Sequence, residues 1–257
     1  MLWAHTHPAG TVYVTDASIP ALELSLLNWE QNREELLYYC RKGREGGAGG
    51  LQEPQLRVRH LDWIQFGEGQ APRVQHNVEE DGDTTTFAWQ DLAEVESFLG
   101  QVDVLLAADV IYEEELTDAF FATVRRLMWR RPQLRLLLAM ERRINFTLQD
   151  MRPSCRAHNH FLSHFVQVDL LSGGAQCTLQ RVWEASEPPQ SLTTQEADKD
   201  KEGTPWQSLV LLGQQIPLSS IPRQFPYDRT DDLEMWVLWP DHSLLSQPVQ
   251  YTMETTA

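Results

Sequence analysis

Apolar positions along the 257-residue chain switch repeatedly between strand-like and helix-like spacing. A β-branched and aromatic run at 12–15 closes on Asp16. Leu22, Leu26, Trp29, Leu36 and Leu37 then recur at helical spacing, with Ser18 placed to cap the helix and Pro20 suited to its first turn. A glycine-rich stretch at 43–50 ends it. Residues 56–64 alternate as a strand does, with Leu61, Asp62 and Trp63 near its end, and a polar insertion is expected over 67–100. The run 102–108 is almost continuously apolar, which predicts a strand buried on both faces of a parallel sheet. It leads directly into Asp109, Val110, Ile111 and Tyr112. From Glu113 an amphipathic helix is predicted to about residue 131, carrying Leu116, Phe120, Phe121, Val124 and Leu127, with acids early and arginines late as the helix dipole favours. A second buried strand is predicted at 134–140. A helical stretch follows Pro153 to about residue 164, then strands at 165–171 and 177–184. Next come a polar, disordered segment over 190–203, an apolar segment at 206–212, a last strand at 233–239 and an unstructured tail.

Strands alternating with helices predict an α/β fold with a doubly wound, mainly parallel sheet. The length suits a single domain over 1–240, with insertions at 67–100 and 190–205 and a tail at 241–257. Ligands of such sheets bind beyond the carboxyl ends of the strands. Asp16, Asp62 and Asp109 all stand at such ends, and this coincidence outweighs any of the three taken alone.

Charge and cysteine content narrow the partners. With 21 basic and 37 acidic residues the net charge is -16, a surface that repels nucleic-acid phosphates and favours a basic protein partner, or simply keeps the chain soluble. The cysteines, Cys40, Cys155 and Cys177, are too few and odd in number for a disulfide framework and fit a reducing compartment, nucleus or cytoplasm. The apolar runs are too short to cross a bilayer, and the N-terminus lacks the basic and apolar regions of a secretory signal. Cys155, His158, His160 and His164 invite a zinc reading. On a helix, however, the first two point away from the last two, so the four do not converge and no metal is expected. Neither a Gly-Xaa-Ser-Xaa-Gly elbow nor a Walker loop occurs.

Several stretches carry a family likeness. The strand ending in Asp16, followed by Leu24, Leu27, Asn28 and Asn32, resembles the second strand and helix of the seven-strand methyltransferases, and Leu61, Asp62 and Trp63 resemble the end of their third strand. Asp109-Val110-Ile111-Tyr112 matches the Asp-Xaa-Xaa-Tyr motif of the family-16 protein-lysine methyltransferases. The stretch from Glu141 to Leu148 is close to the Glu-Lys-Arg-Leu-Asn-Phe-Thr-Leu pattern of one branch of that family, and Phe225-Pro226-Tyr227 and Leu233-Glu234-Met235-Trp236 resemble its final hairpin.

The resemblance implies a Rossmann-like fold using S-adenosylmethionine to methylate lysine on a protein substrate. It assigns Asp16 to the ribose hydroxyls, Asp62 and Trp63 to the adenine, and Asp109 and Tyr112 to the place where the methyl group meets the amine. Asp109 then serves both cofactor and catalysis. Plainer readings stay open: Asp16 as a helix-entry residue, Asp62 as a surface acid, Trp63 as core, Asp109 as a helix cap. Glu141 either meets the substrate amine or pairs with Arg142 or Arg143. The family's Glu/Asp-Xaa-Gly-Xaa-Gly-Xaa-Gly loop and the strand before it have no counterpart, and the glycines at 43–50 follow a helix rather than a strand. This predicts an N-terminally truncated sheet that binds cofactor poorly. It also supplies a rival reading, a catalytically inactive methyltransferase fold serving as an interaction module.

Overall fold

A computed structural model describes residues 11–42, 55–75, 87–147, 152–169, 177–186, 205–221 and 229–245. The glycine-rich stretch at 43–50, the acidic run at 79–83, the polar segment at 190–203 and the Phe225-Pro226-Tyr227 motif lie outside them. The chain divides into two compact units, Met1–Phe66 with Gln70–Phe98, and Gly67–Gly69 with Leu99–Ala257. Among the described residues no helix is long and apolar enough to cross a membrane.

In the first unit β1 (Thr11–Asp16) and β2 (Gln55–His60) pair in parallel, with Val14 opposite Val58 and Asp16 opposite His60. A parallel pair needs a crossover, and α1 (Ile19–Lys42) lies in that connection. Its buried anchor is Leu22, which joins Val58 and Phe87, with Val14, Ile19 and Leu56 packed around them. Leu24, Leu26 and Leu27 are exposed and Trp29 is partly buried, so among the described side chains of the predicted stripe only Leu22 is fully buried. The side chains of Leu36 and Leu37 lie outside the described residues.

Two expectations change here. β2 stops at His60 instead of reaching residue 64, because Asp62 turns the chain into a short helix, α2 (Trp63–Gly67). The supposed polar insertion also supplies core. Phe87, Ala88 and Trp89 are buried, the Trp89 indole donates to the His60 carbonyl at 3.0 Å, and its ring lies 5.7 Å from Tyr13 and 4.9 Å from Phe98. Phe98 belongs to α3 (Leu92–Gln101), whose N-terminus is capped by the Asp91 carboxylate accepting from the Glu94 N–H at 2.8 Å.

Glu94 holds this unit together electrostatically. Its side chain is almost wholly buried and accepts from Arg57 at 2.7 Å, from Arg59 at 2.7 and 2.9 Å, and from the Gln90 N–H at 2.8 Å. Burial alone pushes its carboxyl up, but the bonds from Arg59, Gln90 and Arg57 outweigh burial and hold it below its ordinary value of 4.5. A depressed carboxylate stabilises the fold above its unfolded pKa, and the stabilisation fades as pH falls through the folded one. Glu94→Gln is expected to cost about 2–3 kcal/mol at neutral pH, toward the lower end for a buried pair because Arg57 is partly exposed. Thermal melts of parent and variant from pH 7 downward should converge below the ordinary carboxylate range; a constant gap would show that the charge of Glu94 is not what matters.

The second unit is built on a five-stranded sheet in the order β3 (Val104–Ala108), β4 (Arg135–Glu141), β9 (Leu233–Pro240), β8 (Leu211–Ile216), β7 (Val166–Gln167). β3 and β4 are parallel, with Ala108 opposite Ala139, and α4 (Glu114–Arg130) lies in the crossover between them. β9 runs antiparallel to both β4 and β8, and β7 is parallel to β8. Leu136, Leu138 and Met140 of β4 are buried, as that strand's pattern predicts. β3 departs from its prediction. It is an edge strand of this sheet, and Leu106 is 55% exposed, so its continuous apolar run does not signal burial on both faces.

Beyond the sheet, β5 (Asn145–Thr147) and β6 (Arg152–Ser154) form an antiparallel pair, and α5 (Arg156–Leu162) packs on α4. The predicted strand at 177–184 is a helix, α6 (Leu179–Ala185), because the Thr178 hydroxyl caps it by accepting from the Arg181 N–H at 3.3 Å. Its Val182 is buried with Ile216, Val237 and Trp239. The tail expected to be unstructured contains one further turn of helix, α7 (His242–Leu245).

Gly213 of β8 meets a close approach. A Cβ there would stand 2.4 Å from the Phe165 ring, which packs on Phe161 and Trp236. Gly213→Ala is expected to destabilise by about 1–3 kcal/mol through overpacking, read from chemical denaturation; an unchanged midpoint would mean that the Phe165 ring has room to turn aside.

Candidate active site

The parallel pairs β1–β2 and β3–β4 each deliver acids to their carboxyl edge. In the first unit these are Asp16 and Asp62. Asp16 is exposed at the end of β1; its Oδ1 accepts from the Ser18 N–H at 2.7 Å, while its carbonyl accepts from the Leu61 N–H at 3.0 Å. Asp62 is partly buried, and its Oδ1 accepts from the Ile64 and Gln65 N–H groups at 2.9 and 3.4 Å, the geometry of a helix cap. Asp16 therefore does the helix-entry work of its plainer reading, while Asp62, read plainly as a surface acid, is instead a partly buried cap; each acts through Oδ1. A carboxylate has a second oxygen, so this work is compatible with holding a ligand. Trp63, at the first position of α2, is partly exposed and is not a core residue.

In the second unit Asp109 follows β3, and its N–H donates to the Ala139 carbonyl at 2.9 Å, extending the parallel ladder by one bond. Asp109 is the one non-glycine residue with positive φ, 54°, among the described residues. A side chain in the left-handed region costs about 1 kcal/mol, less for aspartate than for most residues, and such strain clusters at functional sites. The strain turns the chain sharply away from the sheet and leaves the carboxylate about half exposed at the strand end. Asp109 does not cap α4: the cap position is Glu113, with no side-chain cap bond.

The carboxylate has two partners. Arg143 Nη2 lies 3.1 Å from each Asp109 oxygen, and its guanidinium carbon sits 4.9 Å from the centre of the Tyr112 ring. Tyr112 is exposed. Its hydrogen bond to Asp109 is the main cause that pushes the phenol above its ordinary value, with slight burial and the Asp109 charge adding to it and Arg143 opposing. Asp109, Tyr112 and Arg143 thus form one cluster. Glu141, at the end of β4, pairs with neither arginine; it accepts from the Thr230 hydroxyl at 3.2 Å, while Arg142 pairs with Asp232 at 2.8 Å. The Arg143–Asp109 pair is the functional feature that sequence reasoning missed. The available signal was the β3–β4 register, which sets the residues after both strands side by side.

Parallel strands joined by helices, with acids at their carboxyl edges, are the elements of a Rossmann-like α/β fold. Residues 68–165 match the family model described as lysine methyltransferase. Over 181 residues, 70% of this chain, the sequence is 29% identical to methyltransferase-like protein 22 of Homo sapiens and 28% identical to that of Mus musculus. The chain spans 39% and 40% of the lengths of those curated relatives.

Glycine relieves the φ strain at Asp109 and alanine does not. Asp109→Gly is expected to melt at or above the parent and Asp109→Ala below Asp109→Gly by about 1 kcal/mol, both having lost the same exposed ion pair. Equal melting of the two variants would place Asp109 in an unstrained conformation.

Proposed function

We propose that this chain acts as an S-adenosylmethionine-dependent methyltransferase on a lysine side chain of a protein, in the nucleus or cytoplasm, with a basic substrate favoured by the net charge of -16. The observation that carries the reading is Asp109: strained, half exposed, not a helix cap, bonded to Tyr112 and Arg143, and inside the segment that matches the lysine methyltransferase model. The relatives' names support methyl transfer.

The residues fit the adenosine half of the cofactor. Asp16 and Asp62 present carboxylates at the ends of adjacent parallel strands, suited to ribose hydroxyls and to an exocyclic amine, with Trp63 beside Asp62. When bound, S-adenosylmethionine supplies an electrophilic methyl group on a sulfonium. The chain's task is then to hold a neutral amine in line with it. Asp109 accepts a hydrogen bond from the amine and fixes its direction. Arg143 offsets the carboxylate's charge, so that Asp109 orients the amine without trapping it as ammonium. Tyr112, exposed beside Asp109 and Arg143, offers one wall for the lysine stem.

Three variants of the full-length protein test this. Asp109→Ala should lower kcat about 100-fold, the usual cost of losing one positioning group, far more than it changes stability. Asp16→Ala should weaken S-adenosylhomocysteine binding about 10- to 100-fold by calorimetry through lost charge-assisted bonds. Arg143→Ala leaves Asp109 uncompensated, raises the pKa of the bound amine, and should move the alkaline rise of kcat up by about one pH unit. A full-length protein that binds no cofactor and transfers no methyl group would favour the interaction-module reading instead.

A further inference from the structure

Away from the strand ends, α4 and α5 bring three metal-ligating atoms together. Asp118 lies on α4, His160 on α5, and His164 in the turn that follows α5. His160 Nε2 is 2.8 Å and His164 Nε2 is 3.1 Å from the same oxygen of Asp118, and the two ring nitrogens are 3.3 Å apart. Four ligands at tetrahedral zinc, with bonds of about 2.0–2.1 Å, stand about 3.3 Å from one another. The triangle is thus already close to three corners of a tetrahedron.

The triangle sets three potential lone-pair donors together. If both imidazoles carry a proton on Nε2, both donate to the Asp118 oxygen but crowd each other across the 3.3 Å edge. If either Nε2 is bare, its lone pair faces those of the ionised Asp118 oxygen. A cation at the centre turns all three lone pairs to account.

The site is also rigid on one side and open on the other. The His164 ring lies flat on buried Phe121, 4.3 Å away with 1° between planes, and its carbonyl accepts from Arg125 at 2.9 Å. His160 meets His164 edge-on at 87°. The Asp118 side chain is 60% exposed, so ions enter from solvent and a fourth position remains for water. Cys155 and His158 take no part: His158 pairs with Glu234 at 3.0 Å, so the four residues read as a group from the sequence separate, and the missing ligand comes from α4.

We propose that Asp118, His160 and His164 bind one borderline divalent cation, Zn2+ foremost, as a three-ligand site that ties α5 to α4. Two imidazoles and one carboxylate suit zinc-like ions and not Mg2+ or Ca2+, which take mainly oxygen. Arg125 brings opposing positive charge to the neighbourhood, so affinity rests on the three direct bonds.

The test titrates the chelator-stripped full chain with Zn2+ by calorimetry and with Co2+ by visible absorption. One equivalent per chain, an intense tetrahedral Co2+ spectrum, a Zn2+-dependent rise in melting temperature and no response to Mg2+ are expected. His160→Ala and Asp118→Asn, both at partly exposed positions, should each weaken binding by more than about 100-fold, the upper range for losing even an outer-sphere partner. Their metal-free melting should stay near that of the parent, and His158→Ala and Cys155→Ser should bind as the parent does. Absence of saturable binding, or equal binding by parent and His160→Ala, would overturn the proposal and leave the triangle as a hydrogen-bonded cluster.

Discussion

Parallel pairing is the constraint on which the chemistry of this chain depends. Antiparallel neighbours end on opposite sides, whereas parallel neighbours end together, so whatever follows each strand is gathered at one edge. The pairing of Thr11–Asp16 with Gln55–His60 does this for Asp16 and Asp62, and the pairing of Val104–Ala108 with Arg135–Glu141 does it for Asp109, Glu141 and Arg143. Neither pair can be closed by a tight turn. The long helices in their connections are a consequence of the same rule, and they carry the side chains, Leu22 in one case and Phe121, Val124 and Leu127 in the other, that bury apolar surface.

At Asp109 this gathering is completed by small energies. The left-handed backbone costs about 1 kcal/mol, and a half-exposed ion pair returns about 0–1 kcal/mol. The Arg143 pairing therefore adds little to the stability of the fold, and the half-exposed carboxylate keeps lone pairs for a further donor beside the guanidinium. Glu94 is the contrast. Buried and held by two arginines and a backbone N–H, it has no such freedom, which suits a structural anchor and not a reacting site.

The two pairs also mark what the sequence reveals. β4 and β9 are legible because each is a dense apolar run, and α4 because its apolar residues keep helical spacing between early acids and a late arginine. The candidates Asp16, Asp62 and Asp109 are legible because each stands at or near the end of a predicted strand, although β2 ends at His60, before its alternation does. The segment 67–100 is not, because acidic residues at 79–83 dilute a pattern in which Phe87, Ala88, Trp89, Val95 and Phe98 are buried. At 177–184 the apolar positions Cys177, Leu179 and Val182 suit a strand or one side of a helix, and the Thr178 cap settles it. Long-range pairings escape altogether. Arg143 lies 34 residues from Asp109, and Asp118 lies 42 residues from His160; in neither case does local spacing link the two.

The loop after β4 shows how far the orientation of one carboxylate reaches. Arg142 and Arg143 are neighbours in sequence but serve opposite partners. Arg142 donates its backbone N–H to the Asp232 carbonyl at 2.7 Å and its guanidinium to the Asp232 carboxylate, while Thr230 donates to Glu141. These bonds brace the strand end against the segment that enters β9, whose antiparallel register runs from Leu233 opposite Glu141 to Leu238 opposite Leu136. With Arg142 so fixed, the next residue leaves the strand end in a set direction, and Arg143 reaches Asp109 and Tyr112. The antiparallel strand, entered at this same edge through Asp232, thus helps to aim the residue that sets the charge there. A disturbance at Asp232 would reach Asp109 through two neighbouring arginines, both beyond the ends of the parallel strands that frame it.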